Sequence, residues 1–181
     1  MKSFKELIQT YKKYDPAART ALEILLTYPG IWALFYHRVS HFLYLKNVKL
    51  LARILSNFAR FITGIEIHPG AMIGERLFID HGMGIVIGET AEIGNDVRIF
   101  HGVTLGGRGN ETGKRHPTIK NGVLLSAYVQ VIGNVTVGTG AKIGANAVVL
   151  KDIPEGVTAV GIPAQIVKTK EQNEKNSAIY R

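Results

Sequence analysis

The 181 residues carry 22 Lys/Arg against 14 Asp/Glu, a formal net charge of +8, with 46% hydrophobic content and no cysteine. That length holds one ordinary domain with an extension, and the apolar content is ample for a core. The absence of cysteine excludes disulfides, thiol catalysis and cysteine-based zinc sites. The basic excess is uneven: residues 1–66 hold ten Lys/Arg against four Asp/Glu, residues 67–181 twelve against ten. No Lys/Arg cluster is interleaved with aromatics as a strand-binding groove requires, so no nucleic-acid partner is expected.

The start, Met1-Lys2-Ser3-Phe4-Lys5-Glu6, lacks the apolar run and cleavage site of a secretory signal. The apolar stretch from Ala21 to Leu45 is broken by Glu23, Pro29-Gly30, His37 and Arg38, whereas a membrane span needs about 20 apolar residues in a row. A cytoplasmic protein that does not enter membranes is the expectation.

Residues 1–64 are predicted helical. Phe4, Leu7, Ile8 and Tyr11 recur at i, i+3, i+4, i+7, and Asp15-Pro16 has the pattern of an N-cap with proline at the first helical position. Pro29-Gly30 predicts a break. Helices are then expected from about Ile31 to Leu45 and from about Val48 to Ile62, the second ended by Gly64.

From Ile67 the pattern changes to a period of six. Ile67, Ile73, Ile79 and Ile85 come first; after an eight-residue step follow Ile93, Ile99 and Leu105; then Ile119, Leu125, Val131, Val137, Ile143 and Val149. Neither a helix nor a half-buried strand has that spacing. A hexapeptide repeat does, because each six-residue unit is one short side of a coil whose aliphatic residue points inward. The predicted fold class is therefore mixed: an N-terminal α-helical segment (1–64), then a parallel β-helix over 65–167, and a polar tail (168–181). One insertion interrupts the coil, the polar, glycine-rich and basic loop 106–118, where function tends to lie. It is no phosphate-binding P-loop, since Gly113-Lys114 is followed by Arg115 where Ser or Thr is needed. The outer faces carry Val, Ile and Ala, so self-association is expected.

Two segments narrow the function. Ile79-Asp80-His81-Gly82-Met83-Gly84-Ile85-Val86-Ile87-Gly88-Glu89-Thr90-Ala91 resembles the catalytic segment of serine O-acetyltransferases, the short form, within the hexapeptide-repeat acyltransferases. Val103-Thr104-Leu105-Gly106-Gly107, followed beyond the loop by Arg115-His116-Pro117, resembles the same family's loop segment. Val160-Gly161-Ile162-Pro163-Ala164 is similar to the end of the coil in many hexapeptide acyltransferases. The resemblance covers residues 15–167 and implies the left-handed form of the β-helix.

It also implies a reaction: an acetyl group moves from acetyl-CoA to the hydroxyl of L-serine, giving O-acetylserine for cysteine biosynthesis, with no metal. A neutral hydroxyl is a poor nucleophile and needs a general base. His81 matches the family's base, and an imidazole titrating near neutrality suits it. Glu66 matches the carboxylate, usually Asp, that orients that base, and His116 a second histidine near the hydroxyl. Arg115 matches the group that pairs with the substrate carboxylate; Asp15 and Asp80 match the positions that hold its amino group. Gly107, Ala127 and Ala145 match coenzyme A contacts. The family pocket lies between subunits of a homotrimer, so His81 and His116 are expected from different chains. The helical part is shorter than the family's long form carries, which leaves trimer and hexamer both open. The family's C-terminus often ends in Ile and docks into O-acetylserine sulfhydrylase; this chain ends Ile179-Tyr180-Arg181. His68 and His101 are expected to be structural, and His37 and His41 to be packing residues without the third ligand a zinc site needs.

Three alternatives stay in view: a hexapeptide acyltransferase for a sugar or xenobiotic hydroxyl, a carbonic anhydrase on the same coil, and a non-catalytic scaffold. The anhydrase needs three converging histidines, two of them five residues apart, and the histidines at 37, 41, 68, 81, 101 and 116 contain no such pair.

Overall fold

A computed structural model of the chain describes residues 2–110, 112–169 and 171–172. Glu111 of the loop and the Ile179-Tyr180-Arg181 end lie outside the described residues, as does the side chain of Phe4. Four helices come first: α1 (Lys2–Tyr14), α2 (Ala21–Thr27), α3 (Pro29–Leu45) and α4 (Lys49–Thr63). In α1, Ile8 and Tyr11 are buried as their spacing predicts. The Tyr11 ring packs edge-on against Phe78 (4.8 Å) and Tyr28 (5.3 Å), and its hydroxyl accepts from the Ile79 amide. Burial raises the Tyr11 phenol well above its ordinary pKa.

The predicted helix start at Asp15-Pro16 is not where α2 begins. Asp15 follows α1 in a turn, accepting from the Ala17 amide at 2.8 Å, the local alternative to helix that a short carboxylate offers. The cap is Thr20, which forms a capping box with Glu23. The break at Pro29-Gly30 is a junction of a single residue: Tyr28 ends α2 and precedes Pro29, the first residue of α3. Gly30 lets α3 approach the coil, since a Cβ there would lie 2.8 Å from that of Ile79. Gly64 closes α4 at φ 70° as predicted.

The chain then winds through fifteen short strands, β1 to β15 in chain order, on three faces. The first face stacks β1 (Ile65–Ile67), β4 (Ile85–Ile87), β7 (Thr104–Gly106), β10 (Gln130–Ile132) and β13 (Val148–Val149). The second stacks β2 (Met72–Ile73), β5 (Glu92–Ile93), β8 (Thr118–Ile119) and β11 (Thr136–Val137). The third stacks β3 (Phe78–Ile79), β6 (Arg98–Ile99), β9 (Leu124–Leu125), β12 (Lys142–Ile143), β14 (Thr158–Val160) and β15 (Gln165–Lys168), the last returning antiparallel. The other pairings are parallel, and the fold is the predicted hexapeptide-repeat β-helix of about five turns.

The period-six residues form the axial core, all but Ile73 buried; Ile73 is half-buried on β2, the outer strand of its face. Register moves the irregular step. Ile67 pairs with Ile87 and Ile87 with Leu105, so the two extra residues lie between Ile79 and Ile87 and not after Ile85. They widen the corner that carries His81. Burial of Val157 and Ala159 continues the core past Pro154.

Candidate active site

The candidate residues gather on two edges of the prism. Where the third face turns into the first, the widened corner holds His81 at φ 50°, a left-handed backbone that lifts its side chain out to 75% exposure. Its Nε2 lies 3.6 Å from Asp80 Oδ1, and that carboxylate is largely buried. Below it, in successive turns of the same edge, come His101 and Tyr128, with Ala127 and Ala145 at equivalent corners; the ladder runs from Gly102 N–H to Met83 O, Tyr128 N–H to His101 O and Asn146 N–H to Ala127 O. His81, Met83, Gly84, His101, Gly102 and Tyr128 line an open groove of 610 Å³. Asp15 stands near this edge. It accepts a hydrogen bond from the Tyr28 hydroxyl, and Tyr28 also feels the charge of Asp80; burial first, then that bond, pushes the phenol up to about 12.

Where the first face turns into the second, loop 106–118 returns to the coil and is pinned by Thr90. The Thr90 hydroxyl accepts from the amides of Arg115 (3.0 Å) and His116 (3.1 Å), and the Thr90 carbonyl accepts from Lys114 Nζ at 2.7 Å. His116 is 7% exposed. Its Nδ1 faces the Thr90 N–H at 3.2 Å and the Thr90 hydroxyl at 3.0 Å. Two donors leave Nδ1 its lone pair, so the ring proton sits on Nε2, on the side of Gly88 and Gly107. Burial, then the neighbouring Arg115, lowers the His116 pKa; Glu89 opposes and Lys114 assists. The ring is oriented as an Nε2–H donor.

Arg115 Nη2 bonds Glu89 Oε2 at 2.9 Å, and Glu89 Oε1 accepts from the Tyr44 hydroxyl of α3 at 3.0 Å. The Tyr44 bond is the main reason the Glu89 carboxyl titrates low. Glu66 is engaged elsewhere, in an ion pair of 2.9 Å with Arg60 of α4. Among the described residues, the carboxylate that reaches His81 within ion-pair distance is Asp80.

Known proteins resemble this chain closely. The bacterial transferase hexapeptide (six repeats) family matches residues 116–151. A serine acetyltransferase of Bacillus subtilis (strain 168) is 58% identical over 163 residues, covering 90% of this chain and 75% of that protein. One from Helicobacter pylori (strain ATCC 700392 / 26695) is 60% identical over 158 residues, covering 87% and 92%. This chain belongs to the serine acetyltransferase family. It is an acyltransferase. Solved serine acetyltransferase structures share the fold: a complex with cysteine at TM-score 0.91 and 42% identity (98% of this chain, 69% of that one), and a complex with CoA at 0.85 and 42% (92% and 68%). The Neisseria gonorrhoeae serine acetyltransferase in complex with serine gives 0.88 at 42% (92% and 68%).

In this serine acetyltransferase family member the candidate residues divide between the two edges. Asp15, Asp80, His81, Ala127 and Ala145 stand at the first edge; Gly107, Arg115 and His116 stand at the second, with Gly107 beside the Arg115 and His116 side chains. Sequence reasoning did not single out Thr90, Glu89, Tyr44 or Lys114. The Gly88-Glu89-Thr90 run lies within the catalytic-segment motif, yet nothing local shows that Thr90 pins a loop returning after Lys114. His68 behaves as a turn residue, accepting from the Gly70 amide at 2.9 Å. His41 donates to the Pro69 carbonyl at 2.7 Å, and burial drives His37 down to about 3.

Proposed function

We propose that the chain transfers the acetyl group of acetyl-CoA to the hydroxyl of L-serine, at a site completed by a second copy of itself. The observation that carries this reading is the pairing of an exposed imidazole with a sheltered carboxylate 3.6 Å away on one edge. A small molecule bearing a hydroxyl and an ammonium on adjacent carbons can meet both at once, the hydroxyl at His81 and the ammonium at Asp80, with Asp15 nearby. His81 then takes the hydroxyl proton as the oxygen attacks the thioester carbon; the carbon–sulfur bond breaks, and the imidazolium returns that proton to the departing CoA thiolate. Asp80 steadies the imidazolium that forms.

The other edge supplies complementary chemistry. Arg115 offers a fork for the substrate carboxylate, with Glu89 fixing its direction. His116 presents its Nε2–H beside Gly88 and Gly107, and burial lowers its pKa. A cyclic trimer sets the first edge of one subunit against the second edge of the next. The apolar residues exposed on α3 and α4 (Phe35, Phe42, Leu51, Ile54, Phe58, Phe61) support further self-association. Small side chains at Gly107, Ala127 and Ala145 leave the backbone open to the pantetheine arm of coenzyme A. The resemblance to enzymes solved with serine, CoA and cysteine supports the choice of substrates and a place in cysteine biosynthesis.

A sugar or xenobiotic hydroxyl as acceptor is the second reading; Asp80 and Arg115 argue against it, because a neutral acceptor needs neither charge. Free-thiol release from acetyl-CoA, measured with L-serine and then with galactosides, decides between them. Thiol release with serine alone is expected. Release with galactosides and none with serine would eliminate the reading.

A further inference from the structure

We infer that His101 is a positioning residue for His81, acting through its ring contact, with Tyr128 as its support; this rests on His81 being the general base. Three rings descend the same edge in successive turns. The His81 and His101 rings meet edge-on at 6.2 Å and 84°, and those of His101 and Tyr128 at 5.0 Å and 87°.

His81 needs such help. It sits on a corner lengthened by two residues, at a positive φ, with a side chain 75% exposed and its Asp80 contact at 3.6 Å, which is longer than a hydrogen bond. A base in that setting samples several rotamers unless neighbours exclude them, and a small misplacement of a reacting group costs a large part of its rate. The ring below is the neighbour the fold supplies. Tyr128 is itself held at φ 59°, and the turn around it is tied by Gln130 Nε2, which donates to the carbonyls of Gly102 (3.1 Å) and Tyr128 (3.3 Å). Gly102 leaves room for that ring: a Cβ there would lie 2.3 Å from Tyr128 Cδ1.

The Nδ1 of His101 points to packing as its task. Its Nδ1 is buried and has no hydrogen-bond partner among the described residues. A buried polar atom without a partner destabilises a fold, so Nδ1 is not what anchors the ring. An aromatic ring of similar outline without that atom keeps the contact and removes the defect.

The test compares His101→Ala with His101→Phe. In serine-dependent acetyl transfer, His101→Ala is expected to lower kcat about tenfold, with KM for both substrates within about threefold. His101→Phe restores kcat to within about threefold of the parent and melts no lower than it. Long-range ¹⁵N–¹H spectra of the histidine rings give a readout that needs no turnover. The His81 signals, assigned by their loss in His81→Ala, should shift in His101→Ala and return towards the parent position in His101→Phe. An unchanged kcat in His101→Ala, or a His101→Phe as impaired as His101→Ala, overturns the inference. A parent inactive with serine defeats the functional reading instead, and the His81 spectra then decide this one alone: unmoved signals in His101→Ala overturn it.

Discussion

The two edges hold their histidines in opposite ways. His81 stands out on a widened corner, solvated, with one carboxylate beside it. His116 is folded under a returning loop, its Nδ1 facing the amide and hydroxyl of Thr90, its proton on Nε2 and its pKa lowered by burial. Exposure leaves the His81 ring open to a substrate hydroxyl; burial under the loop fixes the His116 ring with its Nε2 beside Gly88 and Gly107. The lesson is that identical side chains acquire different tasks from the turns that carry them. A site needing both must draw on two edges.

The largest break in the comparison is His81→Ala. It should cost 10²-fold or more in kcat, roughly the scale of general-base catalysis, and leave the melting temperature unchanged because the side chain is mostly in solvent. Next comes Arg115→Ala, which removes the expected carboxylate fork. A rise in serine KM of about 10- to 100-fold, with acetyl-CoA KM little altered, is expected from the loss of a charged hydrogen-bonded pair. An unchanged serine KM would detach Arg115 from substrate binding.

Thr90→Val sharpens the contrast, because it keeps the shape and removes the hydroxyl that joins Arg115, His116 and the coil. Stability should fall by about 1–3 kcal/mol. A kcat loss of about tenfold should accompany it as the His116 ring loses its fixed orientation. Denaturant melts and steady-state rates check both.

At neutral pH the smallest effect concerns His37, which is buried between α3 and the coil. The unfolded chain binds a proton there near the ordinary value of 6.5, whereas folded His37 binds none until about 3. Its contribution is therefore fully present above pH 6.5 and is lost as pH falls towards 3, at up to about 1.4 kcal/mol per pH unit. His37→Gln should flatten the stability profile between pH 6.5 and 4.5. An unchanged slope would show that other groups set the acid limit.

How much of this was legible in the sequence depended on how far each contact reaches along the chain. The core was legible because a hexapeptide repeat writes its interior at fixed spacing: Ile99, Leu125, Val131 and Ile143 are wholly buried. The widened corner was misplaced, since Ile85 and Ile87 are both apolar and both buried, and only strand register separates them. Asp15-Pro16 imitated a helix start because the same side-chain bond to a nearby amide serves turns and caps alike. His81, Arg115 and His116 were legible through motif. The clamp of Thr90 on the loop, the link of Glu89 to Tyr44 and the pairing of Glu66 with Arg60 were not, because each joins segments that only the folded coil brings together.

The central claim is that the two edges work only across a subunit boundary. Co-expression of His81→Ala and His116→Ala chains tests it most directly, because each chain lacks a different half. Random mixing into a cyclic trimer should rebuild an intact pairing in about a quarter of the sites, lifting activity far above either variant alone. Mixed assemblies no more active than the two separate variants would contradict the account.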